Sequence, residues 1–310
     1  MAHPVTGRSG AAPVLCADRD SLEQRLAPAR KRATRIGLVP TMGALHDGHL
    51  SLLEAALQRC GHVVVSIFVN PLQFGPGEDF ERYPRTLDAD LAALDTALSG
   101  RADCSVYVPA VAEVYPYGLD GGVAVDPGAL GQVLEGAIRP THFRGVLTVV
   151  AKLFRLVGPH EAWFGEKDYQ QLVLIRRMAH ELALGLEVCG ASIVREPDGL
   201  ALSSRNVYLD AAQRRLATAL PRALERGVAE AARTGAGAAP AVEAAARSAL
   251  TESGVEPDYV AVTDPGLGPA PRSGTARLLV AASVGSTRLL DNAGLLLGGS
   301  GAPATPNRAG

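Results

Sequence analysis

Two imidazoles three residues apart, His46 and His49, stand in the run Pro40-Thr41-Met42-Gly43-Ala44-Leu45-His46-Asp47-Gly48-His49. Both can donate to phosphate oxygens. Ahead of them, residues 36–40 form a short apolar run closed by a proline, which reads as a strand. Behind them, Leu50, Leu53 and Leu57 recur at the spacing of one helix face. A helix that begins here offers unpaired N–H groups and the positive end of its dipole, both suited to phosphate. Gly43 and Gly48 let the backbone approach a nucleotide closely. The same residues also fit a glycine turn with surface histidines. Metal ligation fits less well, because zincin helices set their histidines four apart with a glutamate between.

A second run, Gly165-Glu166-Lys167-Asp168-Tyr169-Gln170-Gln171, again lies between a strand-like and a helix-like stretch. Among 30 basic residues only Lys31, Lys152 and Lys167 are lysines, so a lysine set between two acids suggests a need for a slender ammonium. An acidic helix start with an incidental lysine is the plainer alternative. A third run, Leu202-Ser203-Ser204-Arg205-Asn206, places two hydroxyls and a guanidinium in succession, able to grip a triphosphate through several donors. Alone it fits any exposed loop. Asn70-Pro71-Leu72-Gln73-Phe74 and Arg139-Pro140-Thr141-His142-Phe143-Arg144-Gly145 add an amide pair and further cations.

The elements that must carry these runs are legible as a parallel α/β pattern. Residues 62–70 form a continuous β-branched run, as in a strand buried on both faces. With the strand at 36–40 and the helix between, they make a βαβ unit. Further strands are expected at 104–109, 161–165 and 186–194, and helices at 21–32, 88–98, 145–156 and 169–184. After about Leu209 the composition shifts toward Ala, Arg and Glu in two helical stretches, followed by strand-like segments. The expected organisation is a disordered leader over 1–13, a larger parallel α/β domain over 14–193, a smaller α+β domain over 194–297 and a low-complexity tail over 298–310.

The totals exclude several classes. A net charge of −2 gives no general attraction for nucleic acid or an anionic membrane, so a phosphate ligand needs a local cluster. The four cysteines, Cys16, Cys60, Cys104 and Cys189, lie far apart without a CxxC pair and read as free thiols of a reducing compartment. No apolar run approaches the ~18 residues of a membrane span. The leader lacks the apolar centre of a signal peptide. A cytoplasmic enzyme without nucleic-acid or membrane partners is the expectation.

Taken together, PTMGALHDGH, SIFVNPLQF, YPRTL, RPTHFRGV, FGEKDYQQ and DGLALSSRN closely resemble the motifs of pantothenate synthetases in the HxGH nucleotidyltransferase superfamily, from about residue 36 to residue 292. The resemblance implies a Rossmann-like domain with a small C-terminal lid, a homodimer, Mg²⁺ as cofactor and ATP, pantoate and β-alanine as substrates. It implies an ATP site along Met42, Gly43, Ala44, Leu45, His46, Asp47, Gly48 and His49, with both histidines on phosphate and His49 as proton donor. Gly165, Glu166 and Asp168 would hold adenine and ribose, with Lys167 reaching phosphate. Val194 would touch adenine, while Leu202, Ser203, Ser204 and Arg205 clamp phosphate. His46, His49, Lys167 and Arg205 form the implied catalytic set. Gln73 and Gln171 would bind pantoate, Gln73 also receiving β-alanine. Asp90 is the first choice for the Mg²⁺ ligand and Asp88 the second, with Ala89 between them leaving the ligand open. Another HxGH adenylyltransferase is the alternative within enzymes, against which the paired glutamines count. A catalytically dead nucleotide-binding or scaffold protein is the alternative outside them.

Overall fold

Alternation of buried strands with amphipathic helices builds a doubly wound α/β unit in the computed structural model, which describes residues 13–99 and 104–298. Apart from residues 13 and 298, the expected leader and tail lie outside the described residues. The described chain falls into two compact units. The first reaches Glu166 and takes in Leu174–Ser192; the second comprises Lys167–Val173 and the chain from Ile193 on.

In the first unit six parallel strands run in the order β1-β4-β3-β2-β5-β6. They are β1 (Val14–Cys16), β2 (Ile36–Thr41), β3 (His62–Ile67), β4 (Cys104–Tyr107), β5 (Glu161–Gly165) and β6 (Glu187–Ala191). The connecting helices are α1 (Arg19–Lys31), α2 (Asp47–Arg59), α3 (Leu87–Leu98), the single turns α4 (Val111–Val114) and α5 (Glu135–Ile138), then α6 (His142–Val157) and α7 (Tyr169–Glu181). All six residues of β3 are buried, as a strand covered on both faces requires. Leu52, Leu53 and Ala56 of α2 close over Val39, Val63 and Val65 in one apolar cluster. Asp18 caps α1 in a capping box with Ser21, and Gly158, in the left-handed region at φ 59°, ends α6.

From β2 the chain steps to β3 and β4 on one side, whereas from β5 it steps to β6 on the other. The carboxyl ends of β2 and β5, neighbours in the sheet, therefore flank the topological switch point, where ligands of open α/β sheets bind.

The second unit stacks α8 (Ala211–Ala217), α9 (Ala219–Arg233) and α10 (Ala239–Glu252) with an antiparallel sheet of β7 (Pro257–Thr263), β8 (Gly274–Val284) and β9 (Thr287–Leu297). Leu220, Leu224, Val242 and Leu250 share its core with Val260, Leu278, Val280 and Ala282. One of the boundaries between the units falls inside α7, whose start, through Val173, counts with the second.

Besides shifts of element ends and the unexpected single turns α4 and α5, the sequence reading differs from this architecture in ways that have a plain cause. Strand β1 escapes it because three residues carry no period. Helices α2 and α6 each begin three residues earlier than apolar spacing suggests, because polar first turns show no stripe. Strand β6 stops at Ala191, so Val194 lies beyond it.

Candidate functional site

Within the first unit the 42–49 turn leaves the end of β2 and enters α2. Gly43 has φ 80° and Ala44 φ 50°, two successive left-handed residues that reverse the chain sharply. Thr41 braces the turn from inside the sheet, its hydroxyl donating to the Ser66 carbonyl at 2.8 Å and accepting from the Gly43 N–H at 3.2 Å. His46 occupies the cap position of α2. The His46 N–H donates to His49 Nδ1 at 3.4 Å, and the two rings lie 4.0 Å apart, both half-buried. With Nδ1 accepting, a neutral His49 ring carries its proton on Nε2.

Asp90, in the first turn of α3, sits beneath the turn with only 2% of its surface exposed. Its carboxylate accepts from Ala44 N at 3.0 Å, from Leu45 N at 2.8 Å and from the Thr86 hydroxyl at 3.2 Å. Mg²⁺ bound with nucleotide takes one or two accessible carboxylates beside phosphate oxygens and water. Asp90 does not fit that part, since its oxygens are engaged and buried. Asp88 is an exposed carboxylate, and no cluster of three or more His, Cys, Asp or Glu suited to a metal exists among the described residues.

Gln73 follows β3 in a 3-10 turn, Pro71–Gln73, capped by the Asn70 side chain. Its position is heavily constrained. The amide donates to Met42 Sδ at 2.9 Å, while its oxygen accepts from Asn70 Nδ2 at 3.2 Å. Asn70 Nδ2 also donates to the Gly145 carbonyl at 3.1 Å, and the Tyr115 hydroxyl donates to Asn70 Oδ1 at 2.7 Å. Burial raises the Tyr115 pKa well above the usual phenol range, so it remains a donor. The Gln73 backbone carbonyl accepts from His142 Nδ1 at 2.9 Å and from Arg139 at 3.3 Å. Arg139 is ion-paired with Glu78. Burial alone would raise Glu78, but the Arg139 guanidinium outweighs it and holds the carboxyl below its ordinary range.

Since His142 Nδ1 must donate to a carbonyl, Nε2 is left to accept from Arg139 at 3.2 Å. Burial first, then the neighbouring Arg139 charge, pushes this imidazole down to about 4. An unfolded chain takes up the proton near 6.5 and the folded one only near 4, so between those values unfolding binds protons and stability falls with falling pH. Glu78 adds acid sensitivity only below its ordinary value of 4.5. Melting temperatures between pH 6.5 and 5 should therefore drop more steeply for the native chain than for His142→Gln; parallel curves would refute the assignment.

The other predicted residues divide by unit. Gly165 ends β5 and Glu166 follows it, both half-buried. Lys167, Asp168 and Gln171 belong to the second unit. There the Lys167 ammonium lies 3.7 Å from Asp168, and its carbonyl accepts from Asn292 Nδ2 at 2.9 Å. Arg277 covers the Tyr169 ring at 4.0 Å and donates to Asn292 at 2.7 Å, so β8 and β9 hold this segment.

Val194 and Leu202, read separately in the sequence, prove to be cross-strand partners of a small hairpin, the Leu202 N–H donating to the Val194 carbonyl at 2.9 Å. Arg214 ties the hairpin down by donating to Glu196 at 2.7 Å and Asp198 at 2.8 Å, and Asn206 adds a bond to Glu196 at 2.7 Å. Ser203 caps the 3-10 turn Ser204–Tyr208 that presents Ser204 and Arg205. Sequence reasoning assigns no part to Tyr115, His142, Arg214 or Asn292. Only His142 lies in a flagged run; the rest are single residues far from any motif.

A family model described as pantoate-beta-alanine ligase matches residues 15–294 of this chain. A pantothenate synthetase of a Nocardioides species is 54% identical over 96% of this chain and 90% of its own length. One from Saccharopolyspora erythraea is 55% identical over 91% of each. Among solved structures, a pantothenate synthetase from Thermus thermophilus superposes with a TM-score of 0.82 at 44% identity, over 90% of this chain and 98% of that one. A pantoate-beta-alanine ligase from Francisella tularensis, complexed with beta-gamma ATP and beta-alanine, gives 0.73 at 30% identity, over 91% and 97%.

Proposed function

The chain belongs to the pantoate-beta-alanine ligase family, and from that membership we infer that it condenses pantoate with β-alanine at the expense of ATP, releasing AMP and pyrophosphate. The observation that carries the reading is the 42–49 turn at the switch point with Gln73 fastened to it through Met42. The turn proposed for nucleotide and the neutral amide proposed to orient a carboxylate are thereby neighbours in one unit.

In the first step a pantoate carboxylate oxygen bonds to the α-phosphorus of ATP and the bond to pyrophosphate breaks. Charge builds on the leaving oxygens, so the reaction needs fixed donors directed there. On this reading His46 and His49 serve in this role, and the family motifs give Lys167, Ser203, Ser204 and Arg205 the same part. Gly165, Glu166, Asp168 and Val194 take the adenosine end. Gln73 and Gln171 hold pantoate because neutral amides orient a carboxylate without quenching its nucleophilicity, whereas a bidentate arginine would favour the ground state too strongly. In the second step the neutral amine of β-alanine, received at Gln73, attacks the acyl carbon and AMP leaves.

A cytoplasmic homodimer belongs to the same reading. The free and buried state of all four cysteines fits a reducing compartment, and no helix among the described residues is long and apolar enough to cross a membrane. The deciding experiment is exchange of labelled pyrophosphate into ATP. Strong stimulation by pantoate is the expected result, and exchange indifferent to pantoate rules the reading out.

A further inference from the structure

We propose that Asp90 is a positioning residue of the nucleotide turn, holding residues 43–45 in the shape that aims the His46–His49 pair, and that it does not ligate the metal. The proposal rests on the reading of residues 42–49 as the nucleotide turn.

To pass from β2 into α2 the chain uses two left-handed residues in succession, Gly43 and Ala44. Glycine adopts that region freely, but alanine does so only where the surroundings hold it. Successive N–H groups in such a turn converge on one side and form a concavity that attracts an anion. In this chain the concavity is filled from inside the protein. The Ala44 and Leu45 N–H groups each meet one oxygen of the same Asp90 carboxylate, at 3.0 and 2.8 Å. Gly43 makes room for it, since a Cβ there would lie 3.0 Å from Asp90 Oδ2 and 3.1 Å from Ile67. Thr86, at the start of α3, steadies the Oδ1 side at 3.2 Å.

Two consequences follow. With its own N–H donors occupied by Asp90, the inner side of the turn is satisfied, and the nucleotide must be met by other groups, foremost the imidazoles. A carboxylate with only 2% exposure that already accepts three hydrogen bonds has no open face for a hydrated divalent ion. Asp90 therefore acts on the reaction through Ala44 and Leu45.

The test uses the full chain with Asp90→Ala, Asp90→Asn and, in case these fold poorly, Thr86→Val. Amide hydrogen exchange at Ala44 and Leu45 is the first readout and is independent of activity. Protection should fall by on the order of a hundredfold in Asp90→Ala, less in Asp90→Asn, which keeps one acceptor, and least in Thr86→Val. ATP binding in the presence of EDTA should weaken about tenfold in Asp90→Ala. The Mg²⁺ concentration that half-saturates pantoate-stimulated exchange should stay within twofold of the native value. Unchanged protection and unchanged EDTA binding, with a Mg²⁺ requirement raised tenfold, would overturn the proposal and make Asp90 a ligand. A native chain that binds no ATP fails the functional reading instead, and the proposal falls with it.

Discussion

Gly145→Ala is expected to lower kcat/KM for pantoate about a hundredfold while leaving the KM for ATP within a fewfold of native. An added Cβ at this position in α6 would lie 2.2 Å from the Leu72 carbonyl oxygen, 2.4 Å from its carbon and 2.6 Å from the Gln73 nitrogen. All three are backbone atoms, so no side chain can swing away. To reach ordinary contact, the helix or the Pro71–Gln73 turn must shift by roughly 1 Å, and a displacement of that size at a binding group costs on the order of a hundredfold in rate. The shift also strains the Asn70 bond to the Gly145 carbonyl and the two donors on the Gln73 carbonyl. Overpacking of this kind costs about 1–3 kcal/mol of stability, which a melt will register. Steady-state kinetics with each substrate varied in turn reads the asymmetry. A pantoate kcat/KM within twofold of native would mean that close packing against residues 72–73 does not set Gln73.

That glycine also shows where sequence reasoning stops. RPTHFRGV reads as a run of cations before a helix, yet its closest engagement is with the chain near residue 73, more than 60 positions away. Period and composition report which face of a helix is apolar; they do not report which backbone passes within touching distance of it. The same holds for Tyr115 and Asn70, joined across 45 positions, and His142 and Gln73, joined across 69. By contrast the alternation of β3, α2 and β2 is readable, because buried parallel strands are continuous apolar runs and their helices carry a stripe. Places where strand meets helix are readable for that reason, which is why the 42–49 and 165–168 runs can be set at strand ends. The part given to Asp90 is not. An acidic helix start looks alike whether its carboxylates face water, an ion or a backbone turn, and only burial separates the cases.

The second large effect concerns the imidazole pair. His49→Ala is expected to slow formation of the pantoyl-adenylate by about 10²–10⁴, the range for losing a positioned proton donor or a donor to a developing oxyanion. The geometry says which step should suffer. With His49 Nδ1 accepting from the His46 N–H, the only proton the neutral ring can present is on Nε2, and under the proposed function that proton would be donated to leaving phosphate oxygens. Those oxygens gain charge when pyrophosphate departs and not when the amine later attacks the acyl carbon. Aminolysis of adenylate supplied from outside should therefore keep nearly its native rate in the variant, while adenylation collapses. His46→Ala should be milder in the same assay, since the His46 backbone N–H that orients His49 survives the change. Rapid-quench measurement of the two half-reactions separates these outcomes. Equal losses in both steps would mean that His49 supports the whole site and does not serve pyrophosphate departure in particular.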